Sequence, residues 1–472
     1  MTPPHALRAP ARARVWPDPA SFVWRTVELP PGPAIDPFAL ACGPHGNGPG
    51  VVLVSKHLAL AGHGVAARLT LPSGMAEAGD RRALCEWLAA LSPAPGGHEA
   101  VPGAPHGPVA LGALPFAAQE PGSLVVPELL YGRAGGREWA TVVSSPGGIG
   151  RAARDPAEVR RCLEALAGVG GAGATDVHGP WADAPPARRL VALEGPAPEV
   201  FTSGVRRALE SIAAGTVSKV VLARRVVAAF DVPLDAVDAM RRLQRREPAA
   251  TVYGVVGATG SFLGASPEVL VTRRGRHVES WPLAGTVGLP GDEAGDALAA
   301  ARLAASDKDA REHGQVVDAV VDALAPLCEA RPCHGAPSVA RLRGVAHLAT
   351  RVAGTLVGDV DVLSLAALLH PTPAVAGTPT GAALELLGAL EPHGRGAYAG
   401  PAGWVDGRGD GDFVVAIRGA TVVGRRAVVH AGAGIVAGSD PDEELAETSL
   451  KLRTALGALG NLGAGGAAEA RP

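Results

Sequence analysis

The sequence predicts an α+β fold, with large antiparallel sheets flanked by helices, and three observations carry that prediction. Strand-like runs at 251–257, 261–265, 268–273 and 277–283 follow one another across short Gly-containing turns such as Ala258-Thr259-Gly260. Connections this tight force antiparallel pairing, because parallel neighbours need a crossover of about a dozen residues. The period then becomes helical: Val316, Val317, Val320, Val321 and Leu324 share one face of 307–324, with Asp307 and Asp309 near its positive N-terminus. Finally, Gly403-Trp404-Val405, a turn DGRGDGD and the run FVVAIRGATVV read as a hairpin.

In chain order, residues 1–30 are rich in Pro, Arg and Ala and are expected to be mobile, as are 462–472, mostly Gly and Ala. Residues 31–190 form an N-terminal half without a chemical motif, ending in the Gly/Pro-rich stretch GVGGAGATDVHGPWADAPP (168–186), which reads as a linker. A helix is expected over 198–214, with Val205, Leu209 and Ile212 on one face and Gly215 as its stop. The strand KVVLARRVVAAF (219–230) follows. Near the end, Arg418 is expected on the face of Val414 and Ala416, HAGAGIV (430–436) reads as a glycine-rich loop, and a last helix begins after Ser439 with Pro441 in its first turn.

Composition excludes several classes. Lys and Arg number 43 against 46 Asp and Glu, a balance that offers no basic surface for nucleic acid. No apolar run approaches the roughly 18 residues of a bilayer span, and Met1 to Pro33 has no continuous apolar stretch of signal-peptide type. A cytosolic protein is expected. Five cysteines (Cys42, Cys85, Cys162, Cys328, Cys333) form an odd set without repeating spacing, which argues for free thiols. Cys328 and Cys333 lack the second pair that a metal clip needs.

Lysine is scarce: only Lys56, Lys219, Lys308 and Lys451 occur among the 43 basic residues. Where composition so favours arginine, a surviving lysine is a candidate for the one task guanidinium cannot perform, losing a proton. Lys219 opens a predicted strand, so it is either a snorkelling surface residue or a general base with a buried stem. Glu268, after Pro267 in GASPEVLV, is either an edge residue facing water or, in a poorly hydrated pocket, an acid able to deliver a proton at neutral pH. Glu444 and Glu447 lie three apart on the last helix, with Lys451 four further on. They read as dipole-complementing acids with an ion pair, or as a hard-cation site completed by Glu312. The 430–436 segment, with Arg418, could hold an anion through backbone N–H groups and a guanidinium fork.

Ten stretches together resemble the chorismate-utilising enzymes, related to anthranilate synthase component I, and among them isochorismate synthases: SKVVLARR (218–225), GASPEVLV (264–271), PLAGT (282–286), SDKDAREH (306–313), HLATRVAGTL (347–356), HPTPAVAGTP (370–379), YAGPAGW (398–404), VVAIRGA (414–420), AGAGIV (431–436) and EELAETSLKL (443–452). They appear in family order over 196–460, the expected chorismate-binding catalytic region. The resemblance implies that Lys219 activates water for attack at ring C2 and that Glu268 protonates the departing C4 hydroxyl. It implies Mg²⁺ held by Glu312 and Glu447, with Glu444 and Asp309 assisting. Lys451, Gly432, Gly434 and Arg418 would bind substrate carboxylates, and Thr286, His347 and Tyr398 would line the site. Lys219 stands where anthranilate synthases carry Gln, so no glutaminase subunit is expected, and Ala284 stands where aminodeoxychorismate synthases carry a lysine. Salicylate synthase, which also expels pyruvate, is the nearest alternative, and a catalytically silent relative is another. Relatives often carry Arg where this chain has Ala310. A monomer is usual for this resemblance.

Overall fold

The computed structural model describes residues 16–44, 46, 48–98, 101–144, 155–168 and 188–462. The linker expected at 168–186 lies, but for Gly168, outside the described residues, as do 1–15 and 463–472 of the expected mobile ends. Residues 23–28 differ from expectation: Val23–Glu28 is a strand paired with Arg137–Ser144, and its Trp24 and Thr26 are buried.

Among the described residues the strands form a thirteen-stranded, a nine-stranded and a three-stranded sheet. Among the described residues the strand pairs of the C-terminal half are antiparallel, as the short turns require. Both halves build the large sheets. Gly50–Val54 pairs with Thr251–Gly257 in the first, and Val109–Ala113 pairs with Pro401–Asp406 in the second.

Two predicted strands break where the chain changes sheet. The run 277–283 splits at Pro282: His277–Trp281 stays in the nine-stranded sheet, whereas Leu283–Gly288 pairs with Val345–Ala349 in the small one. Proline has no N–H to continue a ladder, which makes it a suitable crossing point. The run after 413 likewise divides into Gly411–Val415 and Gly419–Val423, members of different large sheets. Between them Arg418 has φ +56°, a left-handed conformation uncommon for any residue but glycine. Arg418 therefore does not share the face of Val414 and Ala416 by strand alternation; it sits at the crossing.

The helices match the sequence more closely. Pro198–Ala213 buries Phe201, Val205 and Ala208. Asp307–Leu324 starts at Ser306, whose hydroxyl accepts the Asp309 N–H at 3.2 Å, and buries Val316, Val317, Val320, Val321 and Leu324. Each of these side chains contributes roughly 1.5–3 kcal/mol relative to exposure. Position 310 on this helix is exposed, so Ala310 removes no packing from it. Pro441–Leu459 is capped by Asp440, which accepts the N–H groups of Asp442 and Glu443. No helix among the described residues is long and apolar enough to cross a membrane.

Candidate active site

One cavity, open at its mouth and spanning about 970 Å³ with the solvent there included, gathers Lys219, Glu268, Thr286, Glu312, His347, Tyr398, Arg418, Gly432, Gly434, Glu444, Glu447 and Lys451. Every site residue expected from the sequence borders it.

Lys219 opens strand Lys219–Phe230 and is only 1% exposed, so it is not a snorkelling surface lysine. Its Nζ donates to Glu312 Oε1 at 2.7 Å across the gap to helix Asp307–Leu324. The neighbouring strand is Arg426–Val436, so 430–436 is not a loop. In this register Gly434 lies opposite Val221, two residues beyond Lys219. A Cβ on Gly434 would come within 2.8 Å of Glu312 Oε1 and 3.2 Å of Lys219 Cε. The glycine is thus explained by close approach to the ion pair rather than by a turn. Gly432 contributes backbone instead: its carbonyl accepts from Lys451 Nζ at 2.8 Å, and its N–H donates to the Tyr398 hydroxyl oxygen. Alternate backbone groups of this strand therefore face the cavity.

Glu268 follows Pro267 and precedes strand Val269–Arg274; its N–H donates to Ser266 Oγ at 3.2 Å. It is 4% exposed rather than facing water. Burial pushes its carboxyl up to about 8, against the opposing influence of Lys219, a hydrogen bond from the Leu283 N–H, and Lys451. A carboxyl of this kind holds a proton at neutral pH.

Arg418 and His347 form a fixed unit. His347 Nδ1 lies 3.1 Å from the Gly285 carbonyl, which can only accept, so Nδ1 carries the proton and Nε2 accepts from Arg418 Nη2 at 3.0 Å. Thr286 Oγ1 lies 3.2 Å from the same Nδ1. Burial, then Arg418 and Lys451, push the imidazole well below its ordinary range and keep it neutral. The second guanidinium nitrogen, Nη1, is buried without a hydrogen-bond partner among the described residues, available to an anion. Tyr398 stacks on His430 with ring centroids 4.9 Å apart, and burial pushes its hydroxyl up to about 12.

Glu447 pairs with Lys451 at 2.5 Å, the i,i+4 contact expected from their spacing. Burial, then Glu447, push Glu444 up to about 7, as happens where carboxylates are crowded and short of positive charge. Such an oxygen-only donor set suits Mg²⁺, which takes few protein carboxylates and completes its shell with water or ligand oxygens. Among the described residues, no three His, Cys, Asp or Glu side chains converge into a ready-made cage, Cys328 and Cys333 included. The carboxylates fit a cation shared with a bound ligand.

Lys308, His430, Ala374 and Val375, given no role from the sequence, also border the cavity, as does Asp309, expected only to assist. The scarcity of lysine was a signal for Lys308. Nothing in local pattern marks His430, a strand residue whose importance comes from the ring stacked on it.

The chorismate binding enzyme family matches residues 99–460. The chain belongs to that family. It is 40% identical over 365 residues, 75% of this chain and 87% of the relative, to a Mycobacterium tuberculosis protein with the provisional name isochorismate synthase MenF. It is 41% identical to isochorismate synthase DhbC of Bacillus subtilis, over 56% of this chain and 69% of the relative. The solved structure of MenF, the menaquinone-specific isochorismate synthase from Escherichia coli, superposes with a TM-score of 0.74 at 25% identity, covering 93% of this chain and 94% of that one. The crossings of the chain at Pro282 and Arg418 both deliver residues to the cavity, Leu283 to Thr286 at the first and Ile417 and Arg418 at the second.

Proposed function

We propose that this chain is an isochorismate synthase, an isomerase that converts chorismate reversibly to isochorismate with Mg²⁺. The observation that carries the reading is the pairing, in one cavity, of a buried lysine with a buried carboxyl pushed up to about 8. One group can take a proton and the other can give one.

Lys219 acts as general base toward water attacking ring C2, and Glu268 as general acid toward the C4 hydroxyl. A C–O bond forms at C2, the diene shifts, the C4–O bond breaks, and the hydroxyl leaves as water with the proton from Glu268. Water is consumed at one carbon and released at another, so there is no net redox change. The contact with Glu312 holds the Lys219 amine at the cavity wall, where an attacking water can reach it. Glu312 and Glu447 would hold Mg²⁺, with Glu444 and Asp309 assisting, and the ion would neutralise the ring carboxylate. Arg418, aimed by His347, and Lys451 receive substrate carboxylates together with the backbone at Gly432 and Gly434, in an electrostatically preorganised site. Thr286, His347 and Tyr398 shape its walls.

All of the residues that border the cavity lie between Lys219 and Lys451, which supports assigning catalysis to 196–460. Five free cysteines support a cytosolic location. With Lys219 activating water, the chain would need no glutaminase subunit, and the family resemblance favours a monomer. Incubation of purified protein with chorismate and Mg²⁺ is the test. Isochorismate as main product is expected; salicylate with pyruvate would overturn the assignment in favour of a salicylate synthase.

A further inference from the structure

Three of the four lysines in the chain, Lys219, Lys308 and Lys451, border the same cavity. Lys219 is engaged by Glu312 and Lys451 by Glu447 and the Gly432 carbonyl. Lys308 is exposed at the rim and has no hydrogen bond or ion pair to a described residue.

Its position does not serve the helix that carries it. Lys308 is the second residue of Asp307–Leu324, at the end where unpaired N–H groups leave a partial positive charge and a cation is unfavourable. Asp307 and Asp309 on either side suit that end; Lys308 does not. Composition does not favour it either, because nearly every other cation in the chain is arginine. The cavity itself gives the reason. Of the four carboxylates that border it, Glu312 and Glu447 are matched by a lysine, whereas Asp309 and Glu444 have no ion pair among the described residues and leave acidic groups that oppose an incoming anion. The inner cations, Lys219 and Lys451, are already paired.

We propose that Lys308 is the capture residue of this cavity, whose ammonium meets a carboxylate of the incoming dianionic substrate at the rim and passes it inward toward Arg418. The proposal rests on the reading of the substrate as chorismate, a dicarboxylate. A compact charge on a flexible four-carbon stem suits a transient contact. Its field also reaches Glu444, where it opposes the effect of burial.

The test compares wild type with Lys308→Gln, Lys308→Glu and Lys308→Arg, at saturating Mg²⁺, in steady-state turnover of chorismate and in stopped-flow association, across ionic strengths. At low salt Lys308→Gln is expected to lower kcat/KM and the association rate roughly three- to tenfold, the scale of one rim charge acting on a dianion. Lys308→Glu should cost more, Lys308→Arg should restore most of the loss, and kcat should change less than kcat/KM. The gap should close as salt shortens the screening length to about 10 Å at 0.1 M and below that at higher concentrations. Equal association rates for wild type and Lys308→Gln at low salt would overturn the proposal, as would losses that ignore ionic strength or that Lys308→Arg does not repair. Failure of the functional reading is distinct: wild type then yields no isochorismate, while the association measurement still reports on capture.

Discussion

Lys219 Nζ and Glu312 Oε1 lie 2.7 Å apart, joining the first residue of strand Lys219–Phe230 to helix Asp307–Leu324. The lysine is buried, so this contact fixes the position of its amine. A buried ion pair broken on one side leaves an uncompensated charge, which costs several kcal/mol. The pair is therefore a structural tie that also positions the amine that the reaction needs. Lys219→Ala is expected to reduce turnover by roughly 10²–10⁴-fold, the range for loss of a general base, while chorismate binding stays detectable by calorimetry. Near-normal turnover in this variant would remove Lys219 from the mechanism.

The sign of the pH dependence follows from Glu268. Its carboxyl is raised from the ordinary 4.5 to about 8, so the proton needed for catalysis is held below that pH and lost above it. The rate profile in kcat/KM should therefore fall on its alkaline side near pH 8. Glu268→Gln should lower turnover by roughly 10²–10⁴-fold and abolish this limb. A profile flat through pH 9 would contradict the acid role.

Removal of Mg²⁺ by EDTA should abolish activity, and re-addition should restore it. Glu447→Gln and Glu444→Gln should raise the Mg²⁺ concentration needed for half-maximal activity by roughly tenfold or more, as loss of a metal ligand or its support does. Metal titrations of the variants read this directly; activity indifferent to EDTA would contradict the assignment of these carboxylates.

Gly434→Ala tests the close approach in strand Arg426–Val436. The new Cβ would sit 2.8 Å from Glu312 Oε1 and 3.2 Å from Lys219 Cε, so the ion pair must shift. A stability loss of about 1–3 kcal/mol is expected from overpacking, with a larger proportional loss in kcat. Thermal melts and kinetics on the same preparation separate the two effects.

Much of this was legible in the sequence because it depends on local pattern. The helix 307–324 and the strand 219–230 appear with the bounds their periodicity and flanking residues suggest. The carboxylates of the last helix share a face because of their spacing. What local pattern does not show is where the chain leaves a sheet. Arg418 reads as a strand residue among aliphatics, but its positive φ is imposed by the crossing between two sheets. Residues 430–436 read as a loop because glycine is a turn former; they form a strand in which glycine makes room for Lys219 and Glu312. In both places tertiary contacts override local preference, and both places lie in the site.

The most direct measurement is the origin of the new hydroxyl oxygen. Chorismate is turned over in ¹⁸O-labelled water with Mg²⁺, and the isochorismate is analysed by mass spectrometry. If Lys219 activates a solvent water while Glu268 expels the old hydroxyl, the product formed early in the reaction carries one ¹⁸O at C2. Isochorismate that retains only unlabelled oxygen would contradict that chemistry.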